Sequence, residues 1–175
     1  MHVTLYMAMS VNGFIADNDD NEDFLSHDGW DAFVELAEKA GVFMIGRKTY
    51  EVVLEKYKDY GFMDVNADRI IVTSDENFTS PDNFRVVHSP KEAVQLAESL
   101  GHKQALLTGG ATLNSAFMED DLINDVILNV EPAIVGQGKS LFAPSNFARR
   151  LLFKSVDNRG DGILQLHYEV GEVLG

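Results

Sequence analysis

Two segments of the sequence contain residue types that could bind a phosphate group. The first follows the apolar run LLT and consists of Gly109, Gly110, Ala111, Thr112 and Leu113. The second follows the apolar run VFMI and consists of Gly46, Arg47, Lys48 and Thr49. Glycine lets the backbone approach an anion closely, and the amide groups at the start of a helix can donate hydrogen bonds to it. Each segment also has an alternative interpretation. The first could be only a tight turn, and the charged residues of the second could be solvated side chains at a helix start.

The side chains of the second segment add donors to those of the backbone. Arg47 can form a forked contact with a phosphate, and Thr49 offers a hydroxyl group. Ligands of open α/β sheets collect at the carboxyl ends of the strands, so the two segments match the two ends of an extended dinucleotide. The sequence contains neither GxGxxG nor GxxxxGK[ST], and the usual Rossmann and phosphate-loop interpretations are therefore unsupported.

Composition limits the partners of the chain. Its 175 residues are 45% hydrophobic and predict one domain, residues 1–175. The net charge of -14 disfavours nucleic acid and anionic membranes as partners. The absence of cysteine excludes disulfides and thiolate metal sites, and the apolar runs are shorter than the roughly 20 residues of a membrane span. We expect a cytoplasmic protein.

The elements that would position these segments follow from the apolar pattern. Runs of strand length occur at VTLYMAMS, VFMIG, RIIVTS, FRVVH, QALLT and DVILNV, several of them separated by segments with helical spacing. This alternation predicts an α/β fold with a mostly parallel sheet. The runs RLLFKSV and ILQLHYEV flank a turn-rich NRGDG segment, which indicates an antiparallel hairpin at the C-terminal end.

Three helices can be assigned from spacing and capping residues. Apolar residues recur with helical spacing in residues 28–40, and Gly41 follows as a stop. A second helix is predicted over residues 50–57. Ser89, Pro90 and Glu92 form a helix start with a serine cap, and Gly101 closes that segment.

The order of several motifs resembles one known superfamily. The motifs are MSVNGFIA, GRKTYE, RIIVTS, TGGATLNSAFM, INDVILNVEPAIVGQGKSLF and LQLHYEV. Together they resemble the dihydrofolate reductase superfamily over nearly the whole chain, and within it the riboflavin-pathway pyrimidine reductases. The resemblance implies a three-layer fold with helices on both faces of the sheet and bound NADPH as the cofactor.

The resemblance also implies roles at the cofactor. Residues 46–49 would lie near the adenosine phosphates and residues 109–113 under the pyrophosphate. Thr73 and Ser74 would lie by the adenine ribose and its 2'-phosphate, with Arg47 selecting NADPH over NADH. Asp75 and Glu76 would oppose that preference by like-charge repulsion.

Further residues would surround the nicotinamide and the substrate. Met7 and Ala8 match the family's position beside the nicotinamide, although core packing explains them equally well. Gly136 and Gly138 would shape the pocket wall.

Candidates for the substrate side are fewer. Asn12 stands where the riboflavin-type reductases commonly have an aspartate. Asp28 or Asp31 could take the place of the acid at the start of the first helix in folate reductases, with helix-dipole stabilisation as the alternative. Glu131 could face the substrate, or could be a surface carboxylate at a strand end.

The acidic loop of residues 17–23 partly resembles a calcium-binding loop. Asp17, Asp19 and Asn21 fit the first ligand positions, but Glu22 replaces the required glycine and Asp28 the final glutamate. We expect a solvated, mobile loop instead, and no metal site at this loop or at the five histidines.

These observations predict an NADPH-dependent reductase most like 5-amino-6-(5-phosphoribosylamino)uracil reductase. The alternatives are a dihydrofolate, pterin or other small-molecule reductase, or a non-enzymatic nucleotide-binding module of the same fold. The expected substrate is a small molecule of the pyrimidine or pterin class, and family resemblance suggests a homodimer.

Overall fold

A computed structural model describes residues 1–57, 60–80 and 83–175. The strands are β1 (His2–Ser10), β2 (Phe14–Asp17), β3 (Val42–Gly46), β4 (Asp68–Val72), β5 (Arg85–Val87), β6 (Gln104–Leu107), β7 (Asp125–Glu131), β8 (Gly138–Ser140), β9 (Arg149–Gly160) and β10 (Ile163–Val173). The helices are α1 (His27–Ala40), α2 (Arg47–Lys56), α3 (Pro90–Ser99) and α4 (Ala111–Glu119), and Phe62–Asp64 forms a short 3-10 helix.

Eight strands form one sheet in the order β5-β4-β3-β6-β1-β7-β10-β9. The strands from β5 to β7 are parallel, whereas β10 pairs antiparallel with both β7 and β9. The mostly parallel sheet and the C-terminal antiparallel hairpin are therefore confirmed. The carboxyl ends of β3, β4, β6 and β1 meet at one edge, where ligands of such sheets bind.

Alternation along the strands divides the core between the two faces of the sheet. In β3, Val42 and Met44 belong to the core under α3 and α4, while Phe43 and Ile45 belong to the core under α1 and α2. All four side chains are at most 1% exposed. This period of two is what a strand buried on both sides requires, and it confirms the three-layer arrangement.

The helix ends follow the signals in the sequence. Gly41 ends α1 in the left-handed region at φ 80°, which a glycine adopts without steric cost. At α3, the Ser89 hydroxyl oxygen accepts a hydrogen bond from the Glu92 amide, and Pro90 is the first helical residue. Helix α2 begins at Arg47 rather than at Tyr50, so the GRKT segment itself forms its first turn.

A second, two-stranded sheet of β2 and β8 was not foreseen from the sequence. Its strands are four and three residues long and lie about 120 positions apart in the chain. Gly138 is essential to their pairing, because a Cβ there would lie 2.1 Å from the carbonyl oxygen of Ala16.

In the part of the chain that the structure describes, no helix combines the length and the apolar character needed to cross a membrane.

Candidate functional site

The two glycine segments lie against each other at the carboxyl edge of the sheet. The Gly46 amide donates a 2.6 Å hydrogen bond to the Gly109 carbonyl oxygen. A Cβ on Gly46 would lie 3.2 Å from that oxygen, and one on Gly110 would lie 2.7 Å from the Thr49 hydroxyl. Gly109 has φ +82°, and the Gly109–Gly110 peptide bond is cis. The segments therefore form one glycine-lined cleft floor rather than two separated sites.

Two helices begin at this floor. Gly46 caps α2 and Gly110 caps α4, and neither helix start has a side-chain cap. Glycine has no side chain with which to accept from the first amides of a helix, so those amides can donate to a bound anion. The donor set and the close approach allowed by the glycines fit a nucleotide phosphate.

Arg47 lies beside this floor, but other side chains already contact its guanidinium group. Nε donates to Glu51 at 2.8 Å and an NH group donates to Asp75 at 2.5 Å. The guanidinium carbon also lies 4.9 Å from the centre of the Phe78 ring. Hydrogen bonding to Glu51 and Asp75 raises the pKa of Arg47, and the bonds from the Asn77 amide and Arg47 lower the pKa of Asp75. A cofactor phosphate at Arg47 would compete with these carboxylates.

Thr73 and Ser74 follow β4 at the same edge. The Thr73 hydroxyl oxygen accepts from the Asp75 amide at 3.2 Å, which fixes the turn that carries Asp75. Ser74 is exposed. Val72 pairs with Gly46, so this turn is the immediate neighbour of the α2 start.

A cavity of about 330 Å³ opens next to the glycine floor, on the face covered by α1 and α2. Met7, Ala8, Thr49 and Thr108 line its side toward the floor. Aromatic side chains line much of the remainder, namely Tyr6, Trp30, Phe33, Tyr57, Tyr60 and Phe62. Met7 is at the junction between floor and cavity, because its sulfur lies 2.8 Å from the position of a Cβ on Gly109, and Ala8 follows it in β1. The resemblance expects the nicotinamide ring beside these two residues.

Two carboxylates, Glu22 and Asp23, also line the cavity. Removal from water raises the pKa of Glu22 to about 7, although nearby Lys56 acts in the opposite direction. Tyr57 lies beside both residues, since its hydroxyl accepts from the Glu22 amide and donates to Asp23 at 3.3 Å. Burial raises the pKa of Tyr57 to about 12; the hydrogen bond from the Glu22 amide acts in the opposite direction, and the charges of the two carboxylates add to the rise. Glu22 can therefore exchange a proton near neutral pH while Tyr57 stays protonated.

The loop that carries Glu22 is held by its own side chains and by α2. Asp17 accepts hydrogen bonds from the Asp19 and Asn21 amides and from the Asn21 side chain. Lys56 donates to the Asp19 carbonyl oxygen and to Asn21 Oδ1. The carboxylate of Asp17 is thus used by the loop itself.

Across residues 1–57, 60–80 and 83–175, no group of three or more histidine, aspartate and glutamate residues is arranged to hold a metal ion.

Asn12 does not line the cavity. Its Oδ1 accepts from the Val135 amide at 3.1 Å and from the Ser10 hydroxyl at 2.9 Å, while its Nδ2 donates to the Val135 carbonyl oxygen at 2.7 Å. Both ends of the amide are therefore used to hold the loop before β8, a contact that an aspartate could not reproduce in full.

The predicted acids also lie outside the cavity lining. Asp28 accepts from Arg159 at 3.2 Å and from the Asn129 amide group at 3.0 Å. The Asp31 side chain is 64% exposed and lies 3.5 Å from His27. Glu131 is only 2% exposed, which excludes the interpretation as a surface carboxylate, and accepts from the Ser26 hydroxyl. Glu131 reaches the cavity wall through Ser26, which lines the cavity, and its charge also helps to raise the pKa of the lining residue Tyr6, after burial and Asp28.

The two loop glycines differ from each other. Gly138 lies tightly against β2, whereas a Cβ on Gly136 would meet nothing within 4 Å. Neither lines the cavity.

Sequence reasoning therefore missed the residues that give the cavity its chemistry. Glu22 was considered only as a mismatch to the calcium pattern, and Tyr57 only as a helix residue. The stretch EDFL before α1, which combines acidic and aromatic residues, is the one local signal that could have predicted these cavity-lining residues.

Comparison with known proteins agrees with this architecture. Residues 1–165 match the family described as the RibD C-terminal domain. YwjB of Bacillus subtilis (strain 168), an uncharacterized protein, is 26% identical over 169 residues, covering 94% of this chain and 95% of YwjB.

Two solved structures share the fold. A Shewanella sp. PV-4 protein, assigned provisionally to riboflavin biosynthesis, has a TM-score of 0.81 at 19% identity, covering 98% of this chain and 100% of that one. Dihydrofolate reductase from Enterococcus faecalis, complexed with NADP(H), has a TM-score of 0.71 at 14% identity, with coverages of 98% and 97%. These likenesses confirm the dihydrofolate reductase-like fold, and by the match over residues 1–165 the chain belongs to the RibD C-terminal domain family.

Proposed function

We propose that residues 1–175 form one NADPH-dependent reductase domain that transfers hydride to a small pyrimidine or pterin-type compound. The observation that carries this proposal is the direct junction of the glycine floor with the cavity through Met7 and Thr49, which line the cavity and lie against Gly109 and Gly110. The floor offers uncapped amides for the pyrophosphate, and the cavity offers an apolar space for the reacting rings. Membership of the RibD C-terminal domain family supports a reductase, and the NADP(H) of the E. faecalis enzyme supports this cofactor.

When bound, NADPH supplies the hydride, and the chain supplies position and a water-poor site. The amides at the starts of α2 and α4 would hold the phosphates, and the absence of side chains at Gly46 and Gly109 would let the backbone approach them closely. The aromatic cavity wall excludes water and aligns a flat substrate over the nicotinamide, which raises the effective concentration of the two reactants.

A titration of the purified protein with NADPH and with NADH tests the cofactor. Trp30 is the single tryptophan and lines the cavity, so quenching of its fluorescence and the nicotinamide emission both report binding. Saturable binding with NADPH preferred supports the proposal. Binding of neither nucleotide contradicts it, whereas binding without oxidation by any pyrimidine or pterin would favour a non-enzymatic nucleotide-binding module.

Arg47→Ala tests the 2'-phosphate contact. Loss of one charge-assisted contact should weaken NADPH binding about tenfold and NADH binding much less. Equal losses for both nucleotides would remove Arg47 from the 2'-phosphate. Lys39→Ala, which removes an exposed cation in the last turn of α1 and outside the floor, is the matched control.

We further propose a homodimer formed along β9. This strand is the edge of the main sheet, and Leu152, Phe153 and Val156 are 47%, 62% and 50% exposed on it. A long edge strand with exposed apolar side chains is disfavoured in a monomer. Sedimentation velocity should show a dimer that Phe153→Lys dissociates; a monomeric wild type would contradict the proposal.

A further inference from the structure

The charges that line the cavity are of one sign. Glu22 and Asp23 contribute carboxylates, and among the described residues lining the cavity there is no lysine, arginine or histidine. A phosphate group placed there would meet like charge, and Lys56, which lies near Glu22, already donates to the Asp19 carbonyl oxygen and to Asn21. The cavity is therefore unsuited to a phosphate-bearing compound. Its volume of about 330 Å³ suits a compound with one ring or two fused rings.

The walls are flat. Trp30 stacks on Tyr60 with ring centres 4.8 Å apart and 9° between the planes, and Tyr60 stacks on Tyr57 at 6.0 Å and 20°. These rings cover one another's faces, so together they form a rigid, apolar wall of the cavity, which favours planar aromatic ligands.

The carboxylate of Glu22 is available to accept a hydrogen bond from a ligand. Its backbone is held by the Tyr57 hydroxyl and by the Leu25 amide, which donates to the Glu22 carbonyl oxygen at 2.8 Å. Within residues 1–57, 60–80 and 83–175, however, no hydrogen bond to its carboxylate is found, and burial rather than a hydrogen bond dominates its titration. A partly buried carboxyl group that lines a cavity and has no donor can accept a hydrogen bond from a ligand.

We propose that this cavity binds a flat nitrogen base, uncharged or cationic and without a phosphate group, through hydrogen bonds between its N–H groups and Glu22. The inference rests on the proposed function in that the base would be the compound reduced. It narrows the substrate class to phosphate-free heterocycles.

Benzamidine and phenyl phosphate form a matched pair of probes. Both carry one phenyl ring, but the first has a flat amidinium group that can pair with a carboxylate, and the second has a dianionic group. Quenching of Trp30 fluorescence is measured without any nicotinamide nucleotide, so the result does not depend on the reductase proposal. Benzamidine should bind at least about tenfold more tightly than phenyl phosphate. Equal or tighter binding of phenyl phosphate, or no binding of benzamidine, would overturn the inference.

Glu22→Gln should weaken benzamidine binding about tenfold, because the amide cannot form the charge-assisted pair. Glu55→Gln, the same chemical change at an exposed position of α2 outside the cavity lining, should leave it unchanged. Glu22→Asp keeps the carboxylate and should retain part of the affinity. If Glu22→Gln binds benzamidine as the wild type does, Glu22 is not the partner.

The wild-type protein provides a test that needs no variant. Benzamidine stays cationic between pH 6 and pH 8, whereas Glu22 ionises in this window, with Asp23, Lys56 and Tyr57 as the charged or titratable neighbours. Affinity should therefore rise about tenfold from pH 6 to pH 8. An affinity that does not change with pH in this window would contradict the assignment to Glu22.

Discussion

The glycine floor and the aromatic cavity are neighbours, but they are built in different ways. The floor consists of backbone from two short continuous segments, residues 46–49 and 109–113, each placed by one strand and one helix. The cavity consists of side chains from β1, the loop before α1, α1, β3, α2 and the segment around Phe62. Backbone amides bind any phosphate in much the same way, whereas side chains can change without altering the fold. The floor is therefore suited to a group common to many ligands, whereas the side chains of the cavity are suited to selecting one ligand.

The largest expected effect comes from placing a side chain on the floor. Gly109→Ala would put a Cβ 2.8 Å from the Met7 sulfur at a residue with φ +82°. We expect a loss of about 2–4 kcal/mol in the free energy of unfolding from left-handed strain and crowding, and loss of measurable NADPH binding. Denaturant unfolding and the nucleotide titration measure the two effects.

Gly136→Ala is the matched control for this prediction, since it makes the same change where nothing lies within 4 Å. It should alter neither quantity. If Gly109→Ala also binds NADPH normally, the backbone floor does not hold the cofactor, and the contrast between floor and cavity is lost.

The sequence predicted the two strand-to-helix turns because their signals are local, but it did not predict that the two segments lie against each other. A glycine pair follows an apolar run, and a helix start comes next, all within about ten residues. The same holds for the serine cap of α3 and for the strands that alternate between the two faces. The small sheet of β2 and β8 was missed because its pairing depends on residues distant in sequence, and three- or four-residue strands have no periodicity to detect.

Glu22→Gln tests the cavity through its effect on stability. Burial raises the pKa of Glu22 from 4.5 to about 7. Between pH 4.5 and pH 7, the carboxyl group therefore keeps its proton in the folded state but has released it in the unfolded state. Stability contributed by this group is therefore lost as the pH rises toward 7. Because glutamine does not titrate, the variant should gain about 2 kcal/mol relative to wild type between pH 5.5 and pH 8.

Denaturant unfolding at the two pH values measures this gain, with Glu55→Gln as the control that should show none. A constant difference between Glu22→Gln and wild type would mean that Glu22 is not desolvated by the cavity.

Asn12→Asp separates a structural role from a role in chemistry. The aspartate would lose the donor to the Val135 carbonyl oxygen and place a carboxylate against it. We expect a destabilisation of about 1 kcal/mol with unchanged benzamidine affinity. Asn18→Asp, which breaks a contact between two exposed side chains, should cost less. Restored turnover of a substrate in Asn12→Asp would instead support the aspartate role seen in the resemblance.

The candidate substrate residues were harder to predict than the floor for a related reason. Asp28 is at the helix start where an acid was expected, but the partner that occupies it, Arg159, is 131 residues away in β9. Glu131 was read at a strand end, and the burial of that end depends on α1 packing over it. Charge pairing and burial are tertiary properties, so residue type and spacing alone could not decide which carboxylate meets the cavity.

Asp75→Asn should give the smallest effect. It tests whether Asp75, beside the floor, competes with the cofactor for Arg47. Asp75 accepts from Arg47 at 2.5 Å, so its carboxylate competes with a 2'-phosphate for the same guanidinium group. Removing that charge should tighten NADPH binding about threefold and leave NADH nearly unchanged, because only NADPH carries the second phosphate and the pair is partly solvated. Glu51→Gln, at the other carboxylate on Arg47, should act in the same direction, since Glu51 contacts Nε at 2.8 Å. If both variants tighten NADPH binding and Arg47→Ala weakens it, Arg47 contacts the cofactor, and Asp75 and Glu51 weaken that contact by competing for the guanidinium group. If Asp75→Asn weakens NADPH instead, Asp75 is needed to orient Arg47 toward the ligand, and the acidic residues after β4 assist NADPH binding rather than oppose it.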